Sequence, residues 1–428
     1  MKISLKMGHG SLDLNAPDEK ILETVAGRDV PALGHERVAE IIDAGIRETA
    51  PADIRTRKIA VLIPDDTRLW ARGDRFVPVI VKALMDLGAS AERIVILIAL
   101  GTHAEIPPDR FPLLAGDFCA DRITILNSAN KNRDRLVSLG KTRRGTPVDI
   151  TREACEADHV IVFGGILHHV LAGFGGGRKY ILPGIAGYDA IQRNHSLAVR
   201  ADGTLHPLVR QAVLDGNPVH EDLQEAAGIF LRDKTSCCVA VAANGAGELF
   251  YAEVGDLEGV FLNGCDQVNR ACAVPVSAKG DFALISAGGH RTDRQLYQAT
   301  KALFNAVEAV KEGGSILFAA QAEDGVGNPV FDAALKRYKD DPRPLGETLA
   351  RSFEMTAYVA CRVLDMLHRF RITLVSGLSR EETLALGFGY ADDPDEYVRR
   401  LKGRGYVLPY AENVLPLVGV SPREAVDG

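Results

Sequence analysis

Four apolar runs in this 428-residue chain end in residues that can do chemistry. Asp65-Asp66-Thr67-Arg68 follows VLIP, and Gly101-Thr102-His103 follows VILIAL. Gly164 to His169 follows VIVF, and Ser286 to His290 follows FALI. If the runs are parallel strands, these ends face the side of the sheet where α/β proteins bind ligands. Taken singly, an Asp after a strand also serves as a helix cap or turn residue. The densest segment is HHVLAGFGGGRKYILPGIAGYDAIQRNHS, residues 168–196, with three His, one Lys and the block Gly175-Gly176-Gly177. Consecutive glycines let backbone N–H groups approach an anion, and they also make tight turns. The block matches neither G-x-x-x-x-G-K-[ST] nor G-x-G-x-x-G opening a long helix.

Imidazole can give a proton, take one or bind a metal near neutral pH. His103, His169 and His195 sit in glycine-rich or polar contexts suited to those tasks. His9, His35, His159, His206, His220 and His368 read as surface or structural residues. H-E-x-x-H and G-x-S-x-G are both absent, which disfavours a zinc hydrolase or a serine hydrolase. Further on, Gln298 and Lys301 are spaced i,i+3 and share one helix face. A lysine beside an amide can hold a carboxylate, although a Lys on a helix is also an ordinary solvated residue.

The elements that must position these groups are short apolar runs alternating with amphipathic stretches. RKIAVLIPDD (57–66), RIVILIALGTH (93–103), RITILNS (122–128), DHVIVFGGI (158–166) and CCVAVAAN (237–244) predict buried strands. FVPVIVKALMDLGAS (76–90) predicts a helix closed by Gly88. The pattern restarts near residue 274, with strand DFALISAGG, helix QLYQATKALFNAVEAVKEGG and strand SILFAA. Helix NPVFDAALKRY, one long helix ETLARSFEMTAYVACRVLDMLHRF and strand RITLVSG follow. This predicts two α/β domains with mainly parallel sheets and an active-site cleft between them. The expected division is 1–273 for a cofactor-binding domain and 274–403 for a second domain. Residues 404–428 are expected to rejoin the first.

Composition bounds the function. Hydrophobic residues make up 46% and charged residues 25%, as in ordinary globular proteins. A formal charge of −7 disfavours nucleic acid as the main partner. No run approaches the ~18 apolar residues of a membrane span. Seven cysteines, without a C-x-x-C pair or a signal peptide before them, fit a reducing cytoplasm.

D-D-T-R (65–68), G-T-H (101–103), H-x5-G-G-G-x-K (169–179), P-G (183–184), N-H (194–195) and Y-Q-x-x-K (297–301) resemble, in order and spacing, the nickel-dependent lactate racemase family. The similarity runs along most of the chain, and the stretch from His169 to His195 is its most specific part. The resemblance implies a nickel-pincer nucleotide, a nickel-bearing pyridinium-3,5-bisthiocarboxylic acid mononucleotide, joined covalently to Lys179. It implies His195 as a nickel ligand and Asp65, Asp66, Thr67 and Arg68 lining the nucleotide. It implies His103 and His169 as proton carriers, and Arg68, Gln298 and Lys301 on the substrate carboxylate. His169 is preferred over His168 because it lies ten residues before Lys179. The implied reaction is racemisation or epimerisation of a small 2-hydroxy acid by reversible hydride transfer, with cofactor-making enzymes as loading partners. Leu69, Ala104 and Leu171 depart from the family pattern, so the acid stays open. The alternatives are an NAD-type 2-hydroxyacid dehydrogenase, for which no clear dinucleotide fingerprint is present, and a non-catalytic nickel-nucleotide binding protein.

Overall fold

The computed structural model describes residues 1–418 and is an α/β protein dividing into two units. One unit comprises residues 29–198 and 206–269, and the other 1–28, 199–205 and 270 onward. No helix among the described residues is long and apolar enough to cross a membrane.

The unit holding residues 29–198 is built on six strands. Their order across the sheet is Leu249–Gly255, Thr235–Ala243, His159–Gly165, Ile59–Pro64, Ile94–Ala99 and Thr124–Asn127. All neighbours are parallel except the first pair. Every residue of Ile59–Pro64 and of His159–Gly165 is buried. Uninterrupted apolar runs of this kind belong to parallel strands covered on both faces. Helices His35–Thr49 and Gly73–Asp86 bring Val38, Ile42, Ile46, Phe76 and Ile80 into one core with Val61, Ile63, Ile96 and Ile98. The chain starts the parallel set in the middle at Ile59–Pro64 and steps outward on one side. It then returns to His159–Gly165 on the other side. The carboxyl ends of these two strands therefore flank a point where strand order reverses, which leaves a crevice in such sheets.

The second unit carries six parallel strands in the order Gly389–Tyr390, Arg371–Val375, Val310–Ala319, Gly280–Ser286, Gly405–Leu408 and Ile21–Thr24. The hairpin Lys2–Met7 and Gly10–Asn15 packs Ile3, Leu5 and Leu14 against Phe282, Leu284 and Leu317.

Three expectations are corrected. The expected division fails at both ends of the described chain, because residues 1–28 and 404–418 belong to the second unit. Gly405–Leu408 is wholly buried and pairs with Phe282–Ile285, and Leu415–Val418 pairs with Ala273–Val276. Residues 419–428 of the expected tail lie outside the described residues. The helix expected over 295–314 breaks into Leu296–Ala299 and Lys301–Ala306, and VKEGG opens the strand Val310–Ala319. Pairing passes from Gly280↔Val310 to Phe282↔Ser315, a bulge for which Gly313 supplies a φ of 73°. The long helix over 347–370 is two, Arg343–Arg351 and Met355–Arg369. The break is set by Glu354, whose carboxylate accepts from the N–H groups of Thr356 and Ala357 and so starts a new helix.

Candidate active site

Asp65 directly follows the central strand Ile59–Pro64, with its side chain buried. One oxygen accepts from the Thr67 N–H at 3.1 Å and from the Thr67 hydroxyl at 2.5 Å. The other makes a short hydrogen bond with His103 Nδ1. A carboxylate there puts the ring proton on Nδ1 and turns Nε2 into the working nitrogen. The bond from Asp65 raises His103 above the usual histidine value, and burial only partly offsets it. Asp65 itself is pushed up by burial but pulled further down by His103 and Thr67, so it stays charged.

After His159–Gly165 the chain makes a small hairpin, in which Leu167–His169 pairs with Gly173–Gly175. Alternation along this strand sends His168 and His169 to opposite sides. His168 Nε2 lies 2.9 Å from Asn269 Oδ1, and its ring packs against Phe174. His169 Nε2 lies 2.7 Å from Lys179 Nζ. His169 Nδ1 accepts backbone N–H groups from Leu171 at 3.1 Å and Ala172 at 3.3 Å. A neutral imidazole that accepts at Nδ1 carries its proton on Nε2. That proton can point at Lys179 only if the amine offers a lone pair, so the contact describes a neutral lysine. The electrostatics agree. Burial, then Arg178 and Arg68, push Lys179 well below the ordinary lysine value. Burial, then Lys179 and Arg68, push His169 well below the histidine value.

Lys179 rides on the 3-10 turn Gly177–Tyr180, which the glycine block makes possible. Gly176 and Gly177 take φ values of 93° and 52°. Buried Arg178 fastens the loop, donating to the Ala172 carbonyl at 3.0 Å and to His220 Nδ1 at 2.9 Å, with its guanidinium over the Phe261 ring. The Tyr180 hydroxyl accepts the Gly165 N–H at 3.1 Å, and a Cβ on Gly164 would lie 2.2 Å from the Tyr180 ring. Glycine at that strand end is thus required by close approach.

His195 lies in helix Tyr188–Ser196 and is buried. Its Nδ1 is 3.1 Å from Asn194 Oδ1. The amide orientation is fixed, because Asn194 Nδ2 donates to Val219 O at 3.2 Å and to Asp222 Oδ2 at 2.9 Å. Asp222, also buried, accepts from the hydroxyls of Thr142 and Thr146 at 2.6 Å each. His195 therefore donates through Nδ1 and keeps a lone pair on Nε2. Burial first, and Lys179 second, push it down to about 3.

Known proteins resemble this chain along most of its length. Residues 7–204 match the model of the lactate racemase N-terminal domain, and residues 276–401 match that of the C-terminal domain. A lactate racemase of Thermoanaerobacterium thermosaccharolyticum is 28% identical over 359 residues, 83% of this chain and 82% of the relative. A lactate racemase of Lactiplantibacillus plantarum is 32% identical over 283 residues, 66% of this chain and 64% of the relative. The chain belongs to the lactate racemase family. It is accordingly an enzyme, a racemase. The fold matches too. The lactate racemase apoprotein structure from T. thermosaccharolyticum superposes with a TM-score of 0.82 at 23% identity, covering 97% of this chain and all of that one. A protein of Thermotoga maritima does so with a TM-score of 0.62 at 16% identity, covering 92% of this chain and all of that one.

Within this lactate racemase family member, the residues expected from sequence fall into two sets. His103, His169, Lys179, His195 and Arg68 share one neighbourhood: the Arg68 charge bears on His103, His169 and Lys179, and the Lys179 charge on His195. Gln298 and Lys301 belong to the second unit, where Lys301 Nζ donates to Gln298 Oε1 at 2.5 Å. Of the four residues expected against a nucleotide, Asp65 is engaged with His103 and with Thr67. Asp66 pairs with Arg110 at 2.9 Å, and Arg68 donates to the Thr67 carbonyl at 3.0 Å. Asn269, Arg110 and the Asp222–Asn194 relay carry no local sequence signal. Their partners lie from 28 to 101 positions away along the chain for Asp222–Asn194 and His168–Asn269.

Proposed function

We propose that this enzyme racemises lactate or a close 2-hydroxy acid, with His103 and His169 as its proton carriers and Lys179 and His195 as the residues that hold a nickel-pincer nucleotide. The observation that carries this reading is the pairing of neutral, half-buried Lys179 with His169 beside a histidine of opposite electrostatic character. An amine with a lone pair is what a covalent attachment needs. An imidazole with Nδ1 fixed by a hydrogen-bonded amide is what a metal ligand needs. The residues present therefore fit the group. When bound, that group supplies a hydride acceptor for the substrate α-carbon.

The chain supplies the proton chemistry. His169 is held neutral with its proton on Nε2, so to take the hydroxyl proton of one enantiomer it must first shift that proton to Nδ1, releasing the Leu171 and Ala172 N–H groups and baring Nε2. His103, stabilised as the imidazolium by Asp65, is ready to give a proton through Nε2 to the carbonyl oxygen of the planar keto acid from the other side. The reverse reaction uses the same pair with the proton on the other ring. One proton shared by two imidazoles is thus the competent state in both directions. Arg68 adds positive charge for the substrate carboxylate.

The test is to incubate cofactor-loaded enzyme with single-enantiomer lactate and a panel of 2-hydroxy acids, then separate the enantiomers. Conversion to an equal mixture without net oxidation is expected, with a mass adduct on Lys179. Active enzyme with an unmodified Lys179 refutes the cofactor assignment. Net formation of keto acid dependent on added NAD supports the dehydrogenase instead.

A further inference from the structure

We propose that His9, His290 and Glu323 form a site for one divalent transition-metal ion of the zinc type. None of the three has a part in the racemase reading above, so the two stand independently. All three residues lie in the second unit, and one donor atom from each falls within 4.8 Å of the other two. His290 Nδ1 lies 3.1 Å from Glu323 Oε1. That nitrogen is buried without a hydrogen bond among the described residues, a state that asks for a ligand. The rings of His9 and His290 stack with centroids 3.7 Å apart.

The site is built rather than incidental. Buried Asp293 ties its three segments together. Asp293 Oδ2 accepts from the Gly8 N–H at 2.8 Å and the Gln321 N–H at 3.1 Å, and its carbonyl accepts the Ala322 N–H at 2.7 Å. The His290 N–H in turn donates to the Gly8 carbonyl at 2.8 Å. The hairpin turn carrying His9, the helix carrying His290 and the loop carrying Glu323 are therefore held in register. Ala322, next to Glu323, takes φ 52°, a left-handed conformation that alanine rarely adopts.

Two imidazoles and a carboxylate are a borderline donor set that suits Zn²⁺, Co²⁺ or Ni²⁺ and not Ca²⁺ or Mg²⁺. Tetrahedral bonds of ~2.0–2.1 Å put donors about 3.3 Å apart, which the His290–Glu323 pair already satisfies. His9 is exposed at its turn and can swing the remaining distance. Arg294 is the competing cation, 3.4 Å from Glu323, but it also pairs with Asp324 at 2.8 Å and so keeps a partner when a metal takes Glu323. Three protein ligands leave a fourth position for water. Bound metal would fasten the N-terminal hairpin turn to the loop after Val310–Ala319.

The test uses full-length, tag-free protein stripped with chelator, desalted and titrated with ZnCl₂ by calorimetry, with metal analysis after dialysis. Wild type is expected to bind an equivalent at low micromolar zinc and to melt at a higher temperature with it. Glu323→Gln and His9→Ala are each expected to weaken that equivalent at least about 10-fold, while His195→Ala keeps it. His9 is exposed on a turn, so His9→Ala tests the site without disturbing the core. Binding that is unchanged in both His9→Ala and Glu323→Gln overturns the proposal. So does binding lost only in His195→Ala, or the absence of any binding below millimolar zinc.

Discussion

Replacing Asp65 by Asn tests the proton chemistry most directly. The side chains are isosteric, so the buried position keeps its shape. The amide has two possible orientations. If its oxygen stays on the Thr67 N–H and hydroxyl, now at 3.1 and 2.5 Å, its NH₂ faces His103 Nδ1. If it flips, the NH₂ opposes the Thr67 backbone N–H, a fixed donor, at a cost of roughly 1–3 kcal/mol for the unsatisfied group. The first orientation therefore wins. His103 must then accept at Nδ1 and carry its proton on Nε2, so the working nitrogen can no longer act as a base. Loss of the carboxylate also removes the main support for the imidazolium. The expected fall in kcat is about 10²–10⁴-fold, the usual worth of a positioned acid–base group, or about 2.7–5.5 kcal/mol of barrier. The assay is racemisation from each pure enantiomer across pH, normalised to the Lys179 adduct measured by mass spectrometry. Wild type should give a bell in kcat/KM. Its acid limb lies below the ordinary histidine value, because His169 is pushed down, and its alkaline limb lies above that value, because His103 is pushed up. In Asp65→Asn the alkaline limb should move to lower pH. An unchanged rate and profile would falsify the dyad. A lost adduct with a normal rate per loaded site would return Asp65 to the nucleotide, as the family resemblance first implied.

Three further outcomes follow from the same geometry. His169→Gln should abolish racemisation, whereas His168→Gln, which touches Asn269 and Phe174, should leave the rate within a few-fold; equal losses would remove the distinction between the two sides of the hairpin. Asp222→Asn frees Asn194 to turn its NH₂ toward His195, and should weaken nickel retention about 10–100-fold with the fold intact, read by metal analysis of purified protein. Stability should fall in acid: burial pushes His159 down to about 4 and His195 and His220 to about 3. The unfolded chain then binds more protons below pH ~6.5. Stability contributed by each histidine is complete above that value and is lost at about 1.4 kcal/mol per pH unit toward the folded value. Urea midpoints between pH 7 and 4 check this, and His159→Gln should flatten the slope.

The strands that carry the site were legible because their chemistry is visible without the fold. IAVLIP and HVIVFGG are buried along their whole length, so they appear as unbroken apolar runs ending in polar residues. Helices were less legible where a local signal outweighed the average pattern. Glu354 caps a new helix with its carboxylate, and the pair Gly313–Gly314 lets a strand begin inside an apparently helical segment. The tail failed for a different reason. YVL is apolar enough for any sheet, and only pairing with Phe282–Ile285 decides which one it joins. Arg68, His103, His169, Lys179 and His195, expected from the family pattern, fall near one another in the first unit, while Gln298 and Lys301 lie in the second, and the local partners were not legible. Nothing around Asp222 in PVHEDLQ points to Thr142, Thr146 or Asn194. Nothing in DDTR says that the first Asp turns toward His103.

His103, His169 and His195 show why position in sequence says so little about the task of a histidine. The three side chains are identical, and what meets Nδ1 separates them. At His103 it is a carboxylate, which favours the imidazolium and raises the ring. At His169 it is two backbone N–H groups, which force the proton to Nε2 and disfavour a second one. At His195 it is an amide oxygen held by a buried aspartate, which puts a proton on Nδ1 and a lone pair on Nε2 without adding a neighbouring charge. A single carboxylate shared among them would give three similar bases. Distinct partners give one residue type three different protonation patterns. The proposed racemisation would use that separation, because two proton carriers have to differ in charge at any moment while a metal ligand must not titrate at all.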